Sequence, residues 1–215
     1  MTRGRIKGDH EIKRKEIAEA AYKVILRIGF NNASLAHIAS EMGYTTGVLR
    51  HYFTDKEELL LYAKNYLFDG LFARAQAAAE RLQGIAKLRA SAMEFLVLAP
   101  GGIDLYRLLA AFNGHALGDP HLMQLQHKRN KRGWRHFDTL ISELQLDGSL
   151  SAELDPRVEA CGLLAMIEGL ADQVIMSPSF WTYSEISEIL NRYIDCRFVR
   201  LDATAGKSVK KAPRR

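Results

Sequence analysis

The sequence predicts an all-α protein, because apolar residues recur at helical spacing in nearly every segment and no stretch alternates like a strand. Hydrophobic residues make up 47% of the 215, enough for a sizeable core, and five prolines interrupt the chain. Glycine, proline and capping motifs separate the predicted helices. We therefore expect a helix-rich globule of one medium domain, or a small domain joined to a larger one.

The first three predicted helices are separated by glycines. Residues 11–28 form the first helix, whose apolar stripe is Ile17, Ala21, Val24 and Ile28. Two short helices follow, and the second of them ends near Tyr52. Gly29 ends the first helix, and Ser34 begins the second. Gly43 ends the second helix, and either Thr45 or Thr46 begins the third. This stretch therefore predicts a compact three-helix arrangement.

Capping signals mark the later helices. Their predicted starts lie, in order, at Thr54, Ile85, Asp104, Asp119, Asp155 and Thr182. Thr54 with Glu57 is a capping box that opens a long helix to about residue 83, and a second box, with Glu185, opens the last helix. At two of these starts an aspartate precedes proline, which suits the first position of a helix.

The positive charge of the chain is concentrated at its two ends. The formal net charge is +5. Residues 1–15 carry six basic groups against two carboxylates, and residues 207–215 carry five basic groups and no acid. Subtracting +4 and +5 from the total leaves −4 on residues 16–206. A basic arm beside a DNA-binding helix can reach phosphates, so this arrangement is more informative than the pI alone.

Composition and spacing also limit the compartment and the chemistry. The sequence has no apolar run of membrane-spanning length and no signal-peptide pattern, so we expect a cytoplasmic protein with no membrane partner. Cys161 and Cys196 fit no metal or redox spacing and are expected to be buried thiols. Metal-ligand pairs, phosphate-binding glycine loops and a nucleophile elbow are lacking, so we expect no catalytic residues, no metal, no cofactor and no enzyme activity.

Residues 34–53 are the most informative stretch for function. Two short helices joined by a glycine turn predict a helix-turn-helix, whose second helix can enter the DNA major groove. Its shared core is predicted to contain Leu35, Ile38, Ala39, Val48, Leu49 and Phe53. The predicted exposed residues of the second helix are Thr45, Thr46, Gly47, Arg50, His51 and Tyr52, with no carboxylate among them. On pattern alone, an ordinary helical hairpin without DNA binding stays an alternative.

Over residues 12–60 the chain closely resembles the DNA-binding domain of the TetR/AcrR family of regulators. The resemblance rests on Gly29-Phe30, Ser34, Ile38-Ala39, Gly43, Gly47, Leu49, Tyr52-Phe53 and Lys56-Glu57-Glu58-Leu59. The string TTGVLRHYFTDKEELL is most similar to the BetI-like branch. Tyr44 and Arg50 differ from the residues that are common at these positions in the family. These differences affect the expected base preference but not the expected fold.

The resemblance implies roles for individual residues. Ser34 would bind a phosphate at a helix start, and Lys56 would neutralise another. Thr45, Thr46 and Gly47 would lie at the edge of the groove. Base or phosphate contacts would come from Arg50 and His51, and backbone contacts from Tyr52.

The C-terminal half matches the family in layout and in short BetI-like motifs. The resemblance implies that the last two long helices form a four-helix interface with a second copy. Residues 161–170 agree, because they are apolar nearly all round, although a buried central helix of a monomer would look similar. Family members also bind a small molecule between three helices, and the candidate lining residues are Tyr106, Phe112, Asn113, His115, Trp134, Phe137, Met166 and Glu168.

Together these inferences predict an organisation and a function. Residues 1–55 form the DNA-binding helix-turn-helix domain with a basic N-terminal arm, residues 56–201 the helical ligand-sensing and dimerisation domain, and residues 202–215 a basic disordered tail. The expected function is a repressor that a small-molecule effector releases from a palindromic operator in double-stranded DNA. A transcriptional activator of the same family and a helical protein-interaction module are the alternatives.

Overall fold

The computed structural model describes residues 3–29, 32–96 and 102–199, and only the backbone of residues 3–8, 102, 115, 125 and 129. These ranges contain helices and no strand, which confirms the all-α prediction. No described helix is long and apolar enough to cross a bilayer. The elements are α1 Arg3–Ile28, α2 Leu35–Glu41, α3 Thr46–Tyr52, α4 Lys56–Ala79, α5 Gly84–Leu96, α6 Gly102–Ala116, α7 Pro120–Leu146, α8 Pro156–Met176, α9 Tyr183–Ile194 and a π-helical turn, Asp195–Val199.

The first helix is longer than its apolar pattern predicts. It ends at Gly29, whose φ of 84° is in the left-handed region that favours glycine, as expected. It begins at Arg3, eight residues before the predicted start. The prediction was wrong because the apolar stripe begins only at Ile17, whereas the preceding lysine, arginine and glutamate residues favour helix without facing a core. The predicted tail at residues 202–215 lies outside the described residues, as does Phe30.

The start of α4 differs from the predicted capping box by one residue. The amide of Glu58 donates to Oδ1 of Asp55 at 2.7 Å, and Oε2 of Glu58 accepts from the amide of Thr54 at 2.8 Å. Asp55 and Glu58 therefore do what was predicted of Thr54 and Glu57. Because Glu57 and Glu58 are adjacent, the sequence does not show which of them completes the capping box. The predicted box of Thr182 and Glu185 is confirmed.

The described helices fall into two compact units. The first contains α1 to α3, α4 as far as Phe72, α6 and the start of α7. Its core joins α1, α2, α3 and α4, and its fully buried members include Ile17, Ala21, Ile38, Ala39, Leu49, Phe53, Leu59 and Ala63. The predicted boundary after residue 55 lies inside this unit and stays a prediction about function.

Helix α6 packs with α1 and α4 in the first unit although α5 separates it from them in the sequence. Leu108 of α6 lies in a buried cluster with Ile25 and Leu60. The ammonium of Lys64, on α4, is fully buried and lies 3.5 Å from the ring centroid of Phe112. A cation over an aromatic ring at this distance is attractive and is strengthened by desolvation.

The second unit contains the rest of α4, α5, most of α7, α8, α9 and the π-helical turn. Its buried side chains include Leu88, Phe95, Phe137, Ile141, Leu163, Ile167, Ile186, Leu190 and Ile194. Helices α8 and α9 approach closely at Gly162, where an added Cβ would lie 3.0 Å from Oη of Tyr193. Ile186, Leu190 and Ile194 of α9 pack within the protomer.

Both cysteines are exposed, which contradicts the expectation of buried thiols. Cys161 lies on the outward side of α8, and Cys196 lies in the turn after α9. The sequence shows that both belong to apolar segments, but it does not show which side of each helix faces the core.

The turn after α9 is fixed by ion pairs that cross the second unit. Arg89 of α5 donates to Oδ1 of Asn191 at 2.8 Å and to Oδ1 of Asp195 at 2.5 Å. Arg197 forms a two-pronged pair with Glu159, whose side chain is 4% exposed. A buried carboxylate needs such a partner, because burial without one carries a large desolvation cost.

Replacing Arg197 should destabilise the protein. We expect Arg197→Ala to lower the free energy of unfolding by about 1–3 kcal/mol, because the buried carboxylate of Glu159 loses its charged donor. Urea denaturation at neutral pH measures this change. Arg192→Ala is the matched control, since the Arg192 side chain is 77% exposed, and the variant should stay within about 0.5 kcal/mol of the wild type. Equal effects of the two substitutions would show that the Glu159 pair contributes nothing.

Candidate nucleic-acid interface

Helices α2 and α3 form the predicted helix-turn-helix. Oγ of Ser34 accepts a hydrogen bond from the amide of His37 at 3.2 Å and caps α2. Gly43, with φ of 69°, lies in the turn between the helices, and an alanine there would be strained. Oγ1 of Thr45 accepts from the amide of Val48 at 3.4 Å, so Thr45 and not Thr46 caps α3.

Helix α3 is held by buried side chains spaced four residues apart. Leu49 is fully buried, and Phe53, directly after the helix, is 1% exposed. Val48 was predicted to join this core, but it is 38% exposed. It lies one position before the inward-facing Leu49 and so on the outer side of the helix. An outward valine is suited to contact the methyl group of thymine, which makes Val48 a candidate that sequence reasoning missed.

Apart from Gly47 and Val48, the outer face of α3 is polar, and it carries no carboxylate. Four of the predicted contact residues are exposed, namely Thr45, Gly47, Arg50 and His51. The other four are half-buried, namely Ser34, Thr46, Tyr52 and Lys56. A Cβ on Gly47 would come no closer than 3.7 Å to Thr45, so nothing within the protein requires glycine there. Its predicted role in close approach to DNA stays a prediction.

An aromatic cluster joins α1 to the end of α3. The ring of His10 lies 4.8 Å from that of Tyr52 and 5.9 Å from that of His51, between centroids. The His51 and Tyr52 rings meet edge to face at 5.0 Å. His10 therefore positions two residues that are predicted to contact DNA. Sequence analysis missed it because the predicted first helix began one residue later.

Arg14 connects α1, α3 and α4. Its guanidinium carbon lies 4.5 Å from the ring centroid of Phe53 and 4.7 Å from that of Tyr62, and Nη2 lies 2.8 Å from Oε1 of Glu58. Burial opposes ionisation of Glu58, but hydrogen bonds from Thr54 and the Arg14 charge together hold its pKa below the ordinary value. Glu58 is thus a charged anchor for both α1 and the start of α4.

The predicted ligand residues are distributed over both units. In the first unit, Tyr106 and Phe112 of α6 are buried and Asn113 is exposed. The side chain of His115 lies outside the described residues. The second unit contains the other four, of which Phe137 is buried, Met166 is half-buried, and Trp134 and Glu168 are exposed. Their grouping around one ligand stays a prediction.

A polar pair lies within the apolar core of the second unit. Oγ of the fully buried Ser91 lies 2.7 Å from Nε2 of His136. The His136 ring stacks on Phe95 with centroids 5.3 Å apart, and burial lowers the pKa of His136. The sequence does not indicate this pair, because Ser91 and His136 are 45 residues apart and His136 follows a run of basic residues on α7.

Two family models match the chain. The model of bacterial regulatory proteins of the tetR family matches residues 17–63, and the model of the C-terminal domain of BetI-type transcriptional repressors matches residues 84–198. The HTH-type transcriptional regulator PksA of Bacillus subtilis is 29% identical over 188 residues, which cover 87% of this chain and 90% of the relative. The regulator BetI of Paraburkholderia phymatum is 28% identical, with 87% and 94% covered.

Solved regulators share the fold. A transcriptional regulator of Saccharomonospora viridis in complex with choline has a TM-score of 0.77 at 23% identity, with 87% of this chain and 98% of that chain covered. FadR of Bacillus subtilis in complex with stearoyl-CoA has a TM-score of 0.73 at 18% identity, with 83% and 94% covered. The family models confirm the predicted resemblance, including its branch, and they describe regulators and not enzymes. The protein belongs to the tetR family of bacterial transcriptional regulators and has the C-terminal domain of the BetI-type repressors.

Proposed function

We propose that this regulator is a repressor that binds a palindromic operator through α3 of two subunits and leaves it when a small molecule binds. The observation that carries the proposal is the outer face of α3, which has no carboxylate and is polar apart from Gly47 and Val48, while its inner side is buried. Such a helix can lie in the major groove with its N-terminal residues at the base edges. The protein acts in the cytoplasm, where bacterial DNA lies.

Each contact residue has a proposed role on the DNA. Arg50 and His51 read bases or hold phosphates, and Val48 adds an apolar contact. Thr45, Thr46 and Gly47 approach the edge of the groove. Ser34, Tyr52 and Lys56 bind the backbone, which fixes the register of the recognition helix without reading sequence.

Dimerisation is proposed to use the outward face of α8 together with α9. Val158 is 59% exposed and Met176 is 81% exposed at the two ends of this face, and Cys161, Ala165 and Gly169 lie between them. These residues recur at helical spacing and are small or apolar, so the same surface on a second copy can pack against them. A two-fold interface then requires an operator with two related half-sites.

The effector is proposed to be a small, mainly apolar molecule. Tyr106, Phe112, Phe137 and Met166 are the candidate apolar contacts, and Asn113, His115 and Glu168 are the candidate polar ones. Trp134, the eighth predicted contact, lines a separate surface cleft of the second unit. Structural neighbours hold choline and stearoyl-CoA, which shows that the shared fold accepts different ligands. Because α4 contributes residues to both units, we propose that it transmits the conformational change caused by effector binding.

Substitutions on α3 should weaken operator binding without unfolding the protein. Arg50→Ala or His51→Ala should each cost about 1–3 kcal/mol of specific binding, because each removes a polar group at a base edge or phosphate. Fluorescence anisotropy on an operator selected from random duplexes measures the loss. Lys23→Ala, an exposed cation on α1, is the control and should bind almost as the wild type does. If both α3 variants bind the operator with wild-type affinity, α3 does not have its proposed role in operator recognition.

Gly169→Arg should produce monomers. A Cβ at Gly169 meets no heavy atom within 4 Å, so the added side chain is tolerated in the protomer but obstructs a second copy. Gly114→Arg is the matched control, since Gly114 also has open space around it but lies on α6. Sedimentation at micromolar concentration should give a dimer for the wild type and the control. A monomeric wild-type protein would contradict the proposed interface.

Effector binding should release the operator. A ligand shifts the protein only if it binds the DNA-incompetent state more tightly than the competent one. We expect a thermal-shift screen of metabolites to find stabilising compounds, and at least one of them to raise the operator Kd in anisotropy measurements. Compounds that stabilise the protein yet never change operator affinity would show that the binding cavity is structural.

A further inference from the structure

A surface cleft in the second unit collects positive charge around a tryptophan. It encloses about 430 Å³ and is lined by His127, Lys131, Trp134, Arg135, Asp138 and Arg157. All but Arg157 belong to α7, where spacings of three, four and seven place them on one side of the helix. Arg157 comes from the first turn of α8. Residues distant in sequence therefore meet here.

The cations of this cleft outnumber its carboxylate. Lys131, Arg135 and Arg157 form no ion pair with any residue that the structure describes, whereas five other described cations of the second unit do. Asp138 is the only carboxylate among the lining residues. With His127 neutral, the lining carries a net charge of about +2, which attracts a ligand of opposite charge.

Trp134 gives the cleft an aromatic surface. Its side chain is 38% exposed, and the ring of His127 meets it edge to face with centroids 6.4 Å apart. A solvated helix face explains exposed lysines and arginines, but it does not explain an exposed indole among them. An open indole beside guanidinium groups is suited to stack a flat ring whose charged substituent the cations hold.

We propose that this cleft binds a planar aromatic molecule carrying about two negative charges, such as a nucleoside monophosphate or an aromatic dicarboxylate. The ring stacks on Trp134, and Lys131, Arg135 and Arg157 hold the anionic group. The volume is within the range of small-molecule sites. A quaternary amine would meet uncompensated positive charge here, so this site differs in its chemistry from one that holds choline.

Intrinsic fluorescence tests the proposal directly. The chain has two tryptophans, so Trp181→Phe leaves Trp134 as the reporter. We expect adenosine monophosphate to quench this fluorescence saturably, with a Kd at least about tenfold lower than that of adenosine or inorganic phosphate at equal ionic strength. Calorimetry with naphthalene-2,6-dicarboxylate tests the carboxylate form. The tighter of the two ligands identifies the preferred anionic group, and binding of either one supports the site.

Substitutions separate a specific site from general charge attraction. Arg135→Ala should raise the Kd for adenosine monophosphate at least about tenfold, and Asp138→Asn should lower it. Lys128→Ala is the matched control, because Lys128 is an exposed cation of the same helix outside the cleft. Its Kd should stay within about twofold of the Trp181→Phe parent.

Three results would overturn the proposal. The first is no saturable binding of either aromatic dianion up to about 1 mM. The second is equal weakening by Lys128→Ala and Arg135→Ala. The third is equal affinity for inorganic phosphate and adenosine monophosphate, which would remove the role of the ring. None of these measurements uses DNA, so their outcome does not depend on whether the protein binds an operator.

Discussion

Arg14 joins three helices of the first unit at one point. Its guanidinium lies over the rings of Phe53 and Tyr62 and pairs with Glu58, while its Nε is buried without a hydrogen-bond partner among the described residues. Stacking and the ion pair offset the cost of that unpaired group. The direction of α3 depends on this arrangement, because Phe53 fixes the chain directly after Tyr52. The exposed face of α3 points outward only while Phe53 stays buried.

Much of the first unit was predictable because local chemistry determines it. The two short helices begin and end where local interactions dictate, over three or four residues. The hydroxyl groups of Ser34 and Thr45 cap their starts, and the backbone preference of Gly43 forms the turn between them. The predictions were wrong where the role of a residue depends on residues that are distant in the sequence. Glu58 rather than Glu57 reaches back because Arg14, more than forty residues away, also holds it. The position of Val48 depends on the rotation of α3 about its axis, which Leu49 sets.

The second unit was less predictable because the sequence does not show which side of each helix faces the core. Trp134 and Phe137 are three residues apart on α7, yet the first is exposed in a charged cleft and the second is fully buried. The sequence suggested both as ligand contacts because it shows that they are aromatic, not which way they face. The last helix was predicted to pack against a second copy, whereas Ile186 and its neighbours on α9 fill the core of their own protomer, so a contact with a second copy would use the other side of α9.

The placement of α6 limits how this protein can be divided. The chain leaves the first unit within α4, forms α5, and returns to supply Leu108 and Phe112 beside Ile25 and Lys64. A fragment that ends before α6 would leave an apolar surface and a buried ammonium without their cover. A cut before α6 should therefore destabilise the first unit. In a chimera of two relatives, exchanging α6 together with α1 to α4 would keep these contacts within one parent sequence.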